Sequence, residues 1–121
     1  MAYDLHVVRT AHWLDACANP ISRDEIDHLI RTDPTLAWSN QDFVDMKSDA
    51  GETTRYYLID WNGVSCFWWY RDQIVYSGAD EAQIGKILRI SVALSASVVG
   101  DDGEKYELRK TLLGKEKIVT V

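Results

Sequence analysis

Apolar and polar residues alternate at the start of the chain: Tyr3, Leu5 and Val7 stand against Asp4 and His6 before β-branched Val8, which predicts a strand over residues 3–9. Asn19-Pro20 then favours a turn, and Ser22-Arg23-Asp24-Glu25 matches the S-x-x-E capping box, with Ile21 and Ile26 placed as a hydrophobic staple. A helix begins there, its apolar stripe made by Ile26, Leu29 and Ile30, and Asp33-Pro34 stops it. Leu36-Ala37-Trp38 fits a short strand. Residues 39–54 turn polar, interrupted by Phe43, Val44 and Met46, and read as a long connection that is either functional or loosely ordered.

Two aromatic and β-branched runs follow, 55–61 and 64–70, joined by Asn62-Gly63, the pair best suited to a type I′ hairpin turn. A tight turn at Arg71-Asp72 leads to a third strand over 73–76, completing a β-meander. Asp80, with Gln83 three residues on, caps a second helix over roughly 81–96, in which Ile84, Ile87, Leu88, Ser91 and Leu94 recur at helical spacing. Asp102-Gly103 marks another hairpin between 98–101 and 104–108. The last segment, 109–121, ends in Ile118-Val119-Thr120-Val121 and reads as an edge strand or a flexible tail.

Strands grouped in hairpins, with too few helices to cover both faces of a parallel sheet, predict an α+β fold: an antiparallel sheet, meander plus hairpin, with two main helices packed on one face. At 121 residues, 46% of them apolar, the chain is expected to form one domain, 1–121.

Charge narrows the partners. Nineteen acidic residues against thirteen basic ones give a net charge of −6, which repels a phosphate backbone, so nucleic acid is not expected. Nine acids against three bases between residues 24 and 60 account for the whole excess. No stretch approaches the ~18 apolar residues of a membrane span and the start lacks a signal-peptide pattern, so a cytoplasmic protein without a membrane partner is expected. Cys17 and Cys66 stand far apart, without metal-ligand spacing, as reduced structural thiols.

The strong catalytic and phosphate-binding motifs are missing, and no cofactor or metal is expected. An improvised base or metal site would draw on His6, His12 and His28 with Asp4, Asp15 or Asp24; against it, isolated histidines are usually packing or surface residues. Cys66, mid-strand between Ser65 and Phe67, reads as core. Phe67-Trp68-Trp69-Tyr70 says more. Adjacent strand residues point to opposite faces, so Trp68 and Trp69 cannot share one core, and Tyr56 and Tyr57 repeat the problem on the partner strand. Either an exposed aromatic patch or a covering layer answers it. Carboxylates beside Phe43 and Met46, followed by these aromatics, suit a basic protein partner; the candidate contact residues are Asp42, Phe43, Asp45, Met46, Asp49, Glu52, Tyr57, Trp68 and Trp69. The bland alternative is a solvated acidic surface.

The opening Tyr3-Asp4-Leu5-His6-Val7 with Trp13, Pro20-Ile21-Ser22-x-x-Glu25, Asp33-Pro34, Phe67-Trp68-Trp69, and Asp80-Glu81-Ala82 leading to Val99-Gly100-Asp101-Asp102-Gly103-Glu104 resemble a family. It is a group of small bacterial immunity-type proteins encoded beside polymorphic secreted toxins of contact-dependent or type VI systems. The resemblance spans roughly residues 3–106 and rests on strand, cap and turn motifs. It implies a protein, not an enzyme, that binds and blocks a cognate toxin domain; no catalytic residue carries over. The basic tail from Arg109 lies beyond it and is a further candidate for partner recognition. An effector-specific chaperone or adaptor of a secretion system, and a small enzyme with a His/Cys site, are the alternatives. A monomer or a weak homodimer through the terminal edge strand is expected.

Overall fold

The Ser22 hydroxyl accepts from the Glu25 amide at 3.3 Å and the Glu25 carboxylate accepts from the Ser22 amide at 2.9 Å, so the capping box is formed in full. The computed structural model describes residues 3–120, the side chains of Gln41 and Asp42 excepted. Its elements run β1 (Asp4–Val8), a 3-10 segment (Trp13–Ala18), α1 (Arg23–Thr32), β2 (Leu36–Lys47), β3 (Thr53–Trp61), β4 (Val64–Tyr70), β5 (Gln73–Ser77), α2 (Glu81–Ala93), β6 (Ser97–Gly100), β7 (Lys105–Lys110) and β8 (Glu116–Thr120). The architecture is α+β. Eight strands form one antiparallel sheet in the order β2-β3-β4-β5-β1-β6-β7-β8.

Cross-strand partners share a face, and the register sorts the residues cleanly. Leu5 opposes Tyr76, Val7 opposes Ile74 and Val98, Trp69 opposes Ile74, and Phe67 opposes Ile59. These side chains join Ile26 and Leu29 of α1 and Ile87, Leu88, Ile90 and Leu94 of α2 in the main core. Ile21, the staple residue, is fully buried there, and its carbonyl accepts from the Trp69 indole at 2.9 Å. Arg9, just past β1, donates to the Leu94 carbonyl at the end of α2 and to the Glu25 carboxylate at the start of α1. That pairing, with the Ser22 amide, holds the Glu25 carboxyl below its ordinary value.

Two expectations change, and a third resolves to one of its two alternatives. The polar stretch 39–54 is the outer half of a long β2–β3 hairpin. Its alternation is broken because the register shifts between Trp38 and Phe43: Trp38 pairs with Ile59, but Phe43 pairs with Tyr57. The bulge moves the core-facing set from even to odd positions, which no single period can describe. The second helix ends at Ala93 instead of 96, since Ser95 is left-handed (φ 53) and the Ala96 amide turns back to the Ser91 carbonyl. The tail is an ordered edge strand, β8, closed on β7 by a turn with Gly114 at φ 79; Val121 lies outside the described residues. The expected turn at Asn62-Gly63 has both residues at positive φ, 51 and 83, as a type I′ turn demands. Among the described residues no helix is long and apolar enough to cross a membrane.

Asp33 ends α1, accepts from the Thr35 amide and hydroxyl as β2 begins, and pairs with Lys86 of α2. Lys86 and Thr35 hold its carboxyl down at about 2 against an ordinary 3.8. A depressed carboxylate stabilises the fold above its unfolded value and loses that contribution as pH falls towards the folded one. Asp33→Asn is therefore expected to remove on the order of 1–2 kcal/mol at pH 7. The difference from wild type should shrink between about pH 4 and pH 2. Urea denaturation across that range measures it, and a pH-independent difference would contradict the assignment.

Candidate functional site

Beyond the end of β4 the hairpin continues alone. β4 pairs with β3 as far as Tyr57, whereas β2 and β3 remain paired from Phe43–Tyr57 out to Lys47–Thr53, so the outermost pairs project as a two-stranded arm. Such a ribbon is marginal by itself and needs side-chain cross-links. On one side the Arg55 guanidinium lies 3.7 Å above the Phe43 ring and forks onto the Asp45 carboxylate at 2.8 and 3.1 Å. Arg55 thereby holds the Asp45 carboxyl below its ordinary value. Phe43 in turn meets Tyr57 edge-on, and Tyr57 sits under the Arg23 guanidinium of α1 at 4.2 Å. At the tip, Ser48 and Gly51 close the turn, leaving Asp49 and Glu52 exposed.

The other side of the arm leads onto an aromatic stripe. Val44 opposes Tyr56 and Met46 opposes Thr54, so these residues share the face on which Trp68 opposes Leu58 and Val75. Tyr56 packs against Tyr70 at 4.6 Å and edge-on against Trp68 at 5.5 Å. All three rings are partly exposed, and Met46 is 51% exposed at the stripe's outer end.

The nine candidate contact residues thus divide. Phe43, Asp45 and Tyr57 lie on the face of the main core, Met46 and Trp68 on the opposite face, and Asp49 and Glu52 at the tip. Asp42 lies outside the described side chains. Trp69 leaves the set: it is only 9% exposed and its indole is spent on the Ile21 carbonyl, so burial removes it from any contact surface. Tyr70 enters the set. Its signal was already present, since it stands two positions from Trp68 on the same strand and so on the same face.

The histidines take other parts. His6 is buried, stacks on Trp13 with ring centroids 4.5 Å apart, and places Nδ1 2.7 Å from Gln73 Oε1 and Nε2 2.8 Å from Asp101 Oδ1. The Gln73 amide nitrogen donates to the Trp13 carbonyl, the Trp13 indole donates to the Asp101 carbonyl, and the Asp4 amide donates to the Asp101 carboxylate. Burial would raise the Asp101 carboxyl, but the Asp4 amide and His6 outweigh it and hold it below its ordinary value. Both His6 nitrogens are committed, and the cluster ties the 3-10 segment to β1, β5 and the β6–β7 turn. The carboxylate that orients His6 is Asp101, not Asp4, Asp15 or Asp24; only the folded turn brings residue 101 to residue 6. His12 caps the 3-10 segment by accepting from the Leu14 amide, and His28 is exposed on α1. Burial pushes the Cys66 thiol up to about 11, away from nucleophilic use, and both cysteines are free. Among the described residues no three His, Cys, Asp or Glu side chains gather as metal ligands.

His6→Ala would leave Gln73 and Asp101 facing a cavity and unstack Trp13. The expected loss is roughly 1–3 kcal/mol of stability with function retained below the melting point. Function lost at unchanged stability, in parallel thermal melts and binding assays, would make His6 a chemical group and contradict this reading. Compared with protein-family models, with curated proteins and with solved structures, the chain matches none.

Proposed function

We propose that this chain is an immunity-type protein that binds a cognate toxin domain in the cytoplasm and neutralises it by stoichiometric occlusion, without chemistry of its own. The observation that carries the reading is the projecting β2–β3 arm, whose Met46 side runs into the Tyr56–Trp68–Tyr70 stripe. The fold does not need an arm beyond β4, and large partly exposed aromatics beside methionine are the residue types that carry affinity at protein interfaces.

In this reading α1 and α2 lie packed on one face of the sheet, which leaves the aromatic stripe on the other face to the partner. The exposed carboxylates of Asp49 and Glu52 steer the encounter with a basic surface, such as one built to hold nucleic acid or an anionic substrate. Asp45 contributes less to steering, because its charge is already matched by Arg55. His6 and Cys66 serve the fold, so the protection needs no catalytic group.

Co-expression with a toxin domain encoded beside it tests the role, and surface-plasmon kinetics test the place. Trp68→Ala with Met46→Asp is expected to speed dissociation by about tenfold or more, with a smaller change in association. Asp49→Lys with Glu52→Lys should instead slow association and flatten its salt dependence. Unchanged kinetics in both double variants would move the interface elsewhere, and tight binding without protection of the cell would make the chain an adaptor.

A further inference from the structure

The opposite end of the sheet carries the reverse charge. Segment 105–117 holds Lys105, Arg109, Lys110, Lys115 and Lys117 against Glu107 and Glu116, in a chain whose net charge is −6. α2 contacts β1, β6 and β7, and beside it a groove of about 590 Å³ opens over β6 and β7, reaching β8 at Glu116. The register puts Tyr106 and Leu108 on the face of Val98, and Ile118 opposite Leu108; all three pack on the main core without being sealed by it. Val92 of α2 forms the wall and is 78% exposed. At the end of the groove Arg89 pairs with Glu116 beside Lys110, and just beyond, the turn presents Leu112 and Leu113 almost wholly to solvent.

We propose that this groove docks an acidic amphipathic helix of a protein partner. Two strands ~4.8 Å apart give a floor about one helix wide, matching the 8–10 Å at which a helix packs beside α2. β7 and the turn after it offer on the order of 20 Å of track, the length of about thirteen helical residues. An apolar stripe on the incoming helix covers Tyr106, Leu108 and Val92, and its flanking carboxylates meet Lys110 in the groove and Lys115 just beyond it. A basic helix would face like charge at the same rim. A bilayer would take the leucine tip but leave the recessed floor between α2 and β8 open, so the groove favours a helix. The inference does not rest on the β2–β3 arm, which lies at the far edge of the sheet and carries the other charge.

The test uses the full chain and a fluorescein-labelled helical peptide with a Leu/Ala stripe flanked by Glu, beside its Lys-for-Glu counterpart, followed by fluorescence anisotropy. The Glu peptide is expected to bind, at least tenfold more weakly in high salt than in low salt, and the Lys peptide not to bind. Val92→Asp and Lys110→Glu, both on exposed side chains, should each weaken binding at least tenfold with an unchanged circular-dichroism spectrum, while Met46→Asp should leave it unaltered. Equal binding of both peptides, no binding, or indifference to Val92→Asp would overturn the proposal. So would recovery of the protein only on phosphatidylglycerol vesicles, dependent on Leu112 and Leu113, which would give the surface to a membrane.

Discussion

β1 is the strand on which everything else is hung, because it is hydrogen-bonded on both sides, to β5 and to β6. It joins the meander β2–β5 to the C-terminal strands β6–β8, which have no other shared edge. Five residues must therefore satisfy two ladders and two faces at once, and the alternation in Asp4-Leu5-His6-Val7-Val8 does this. Leu5 and Val7 enter the main core; Val8 joins a smaller cluster with Ala16 and Val99; His6 takes the polar lock with Gln73, Trp13 and Asp101. A one-residue slip would put His6 among Ile74 and Val98 and strand its two oxygen partners. The buried histidine thus specifies the register of the central strand, and that is why it is used as structure.

From that centre the two edges of the sheet diverge in character. Towards β2 the chain is acidic and aromatic and extends into a ribbon held by Arg55, Phe43 and Asp45. Towards β8 it is basic, with apolar floor and wall left open between α2 and the last hairpin. Leu36 of β2 still belongs to the core, but the outer half of that strand, from Phe43 on, and all of β7 and β8 hold no fully buried side chain, which leaves them open to recognition. The separation of charge also orients the molecule in the field of a charged partner before contact.

Much of the local structure was legible because local chemistry decides it. Ser22 with Glu25, Asp80 with Gln83, Asn62-Gly63 and Asp102-Gly103 act through neighbours in sequence, and each sits where its chemistry requires. The opposed faces of Trp68 and Trp69 followed from the pleat alone, though which one is inside depended on Ile21 arriving from forty-eight positions away. Beyond Leu36-Ala37-Trp38 the β2 strand was hidden by its own bulge. The His6–Asp101 pair and the groove beside α2 were hidden for a different reason: both are built by the strand order, with β1 between β5 and β6 and β7 next to β6, and order is a property of the whole sheet. The split of Phe43 and Asp45 from Met46 across the two faces of the arm was lost with the strand that carries them.

The central claim is that the protein acts by occupying a partner's surface and not by altering it. Titrating a fixed amount of active cognate toxin with the protein, and following residual toxin activity over time, tests this most directly. The account predicts inhibition that rises linearly to a fixed molar ratio, does not deepen with incubation, and is fully reversed when the two chains are separated under denaturing conditions and the toxin is refolded. Progressive inactivation by a small fraction of an equivalent, or a toxin that stays inactive after separation, would contradict it.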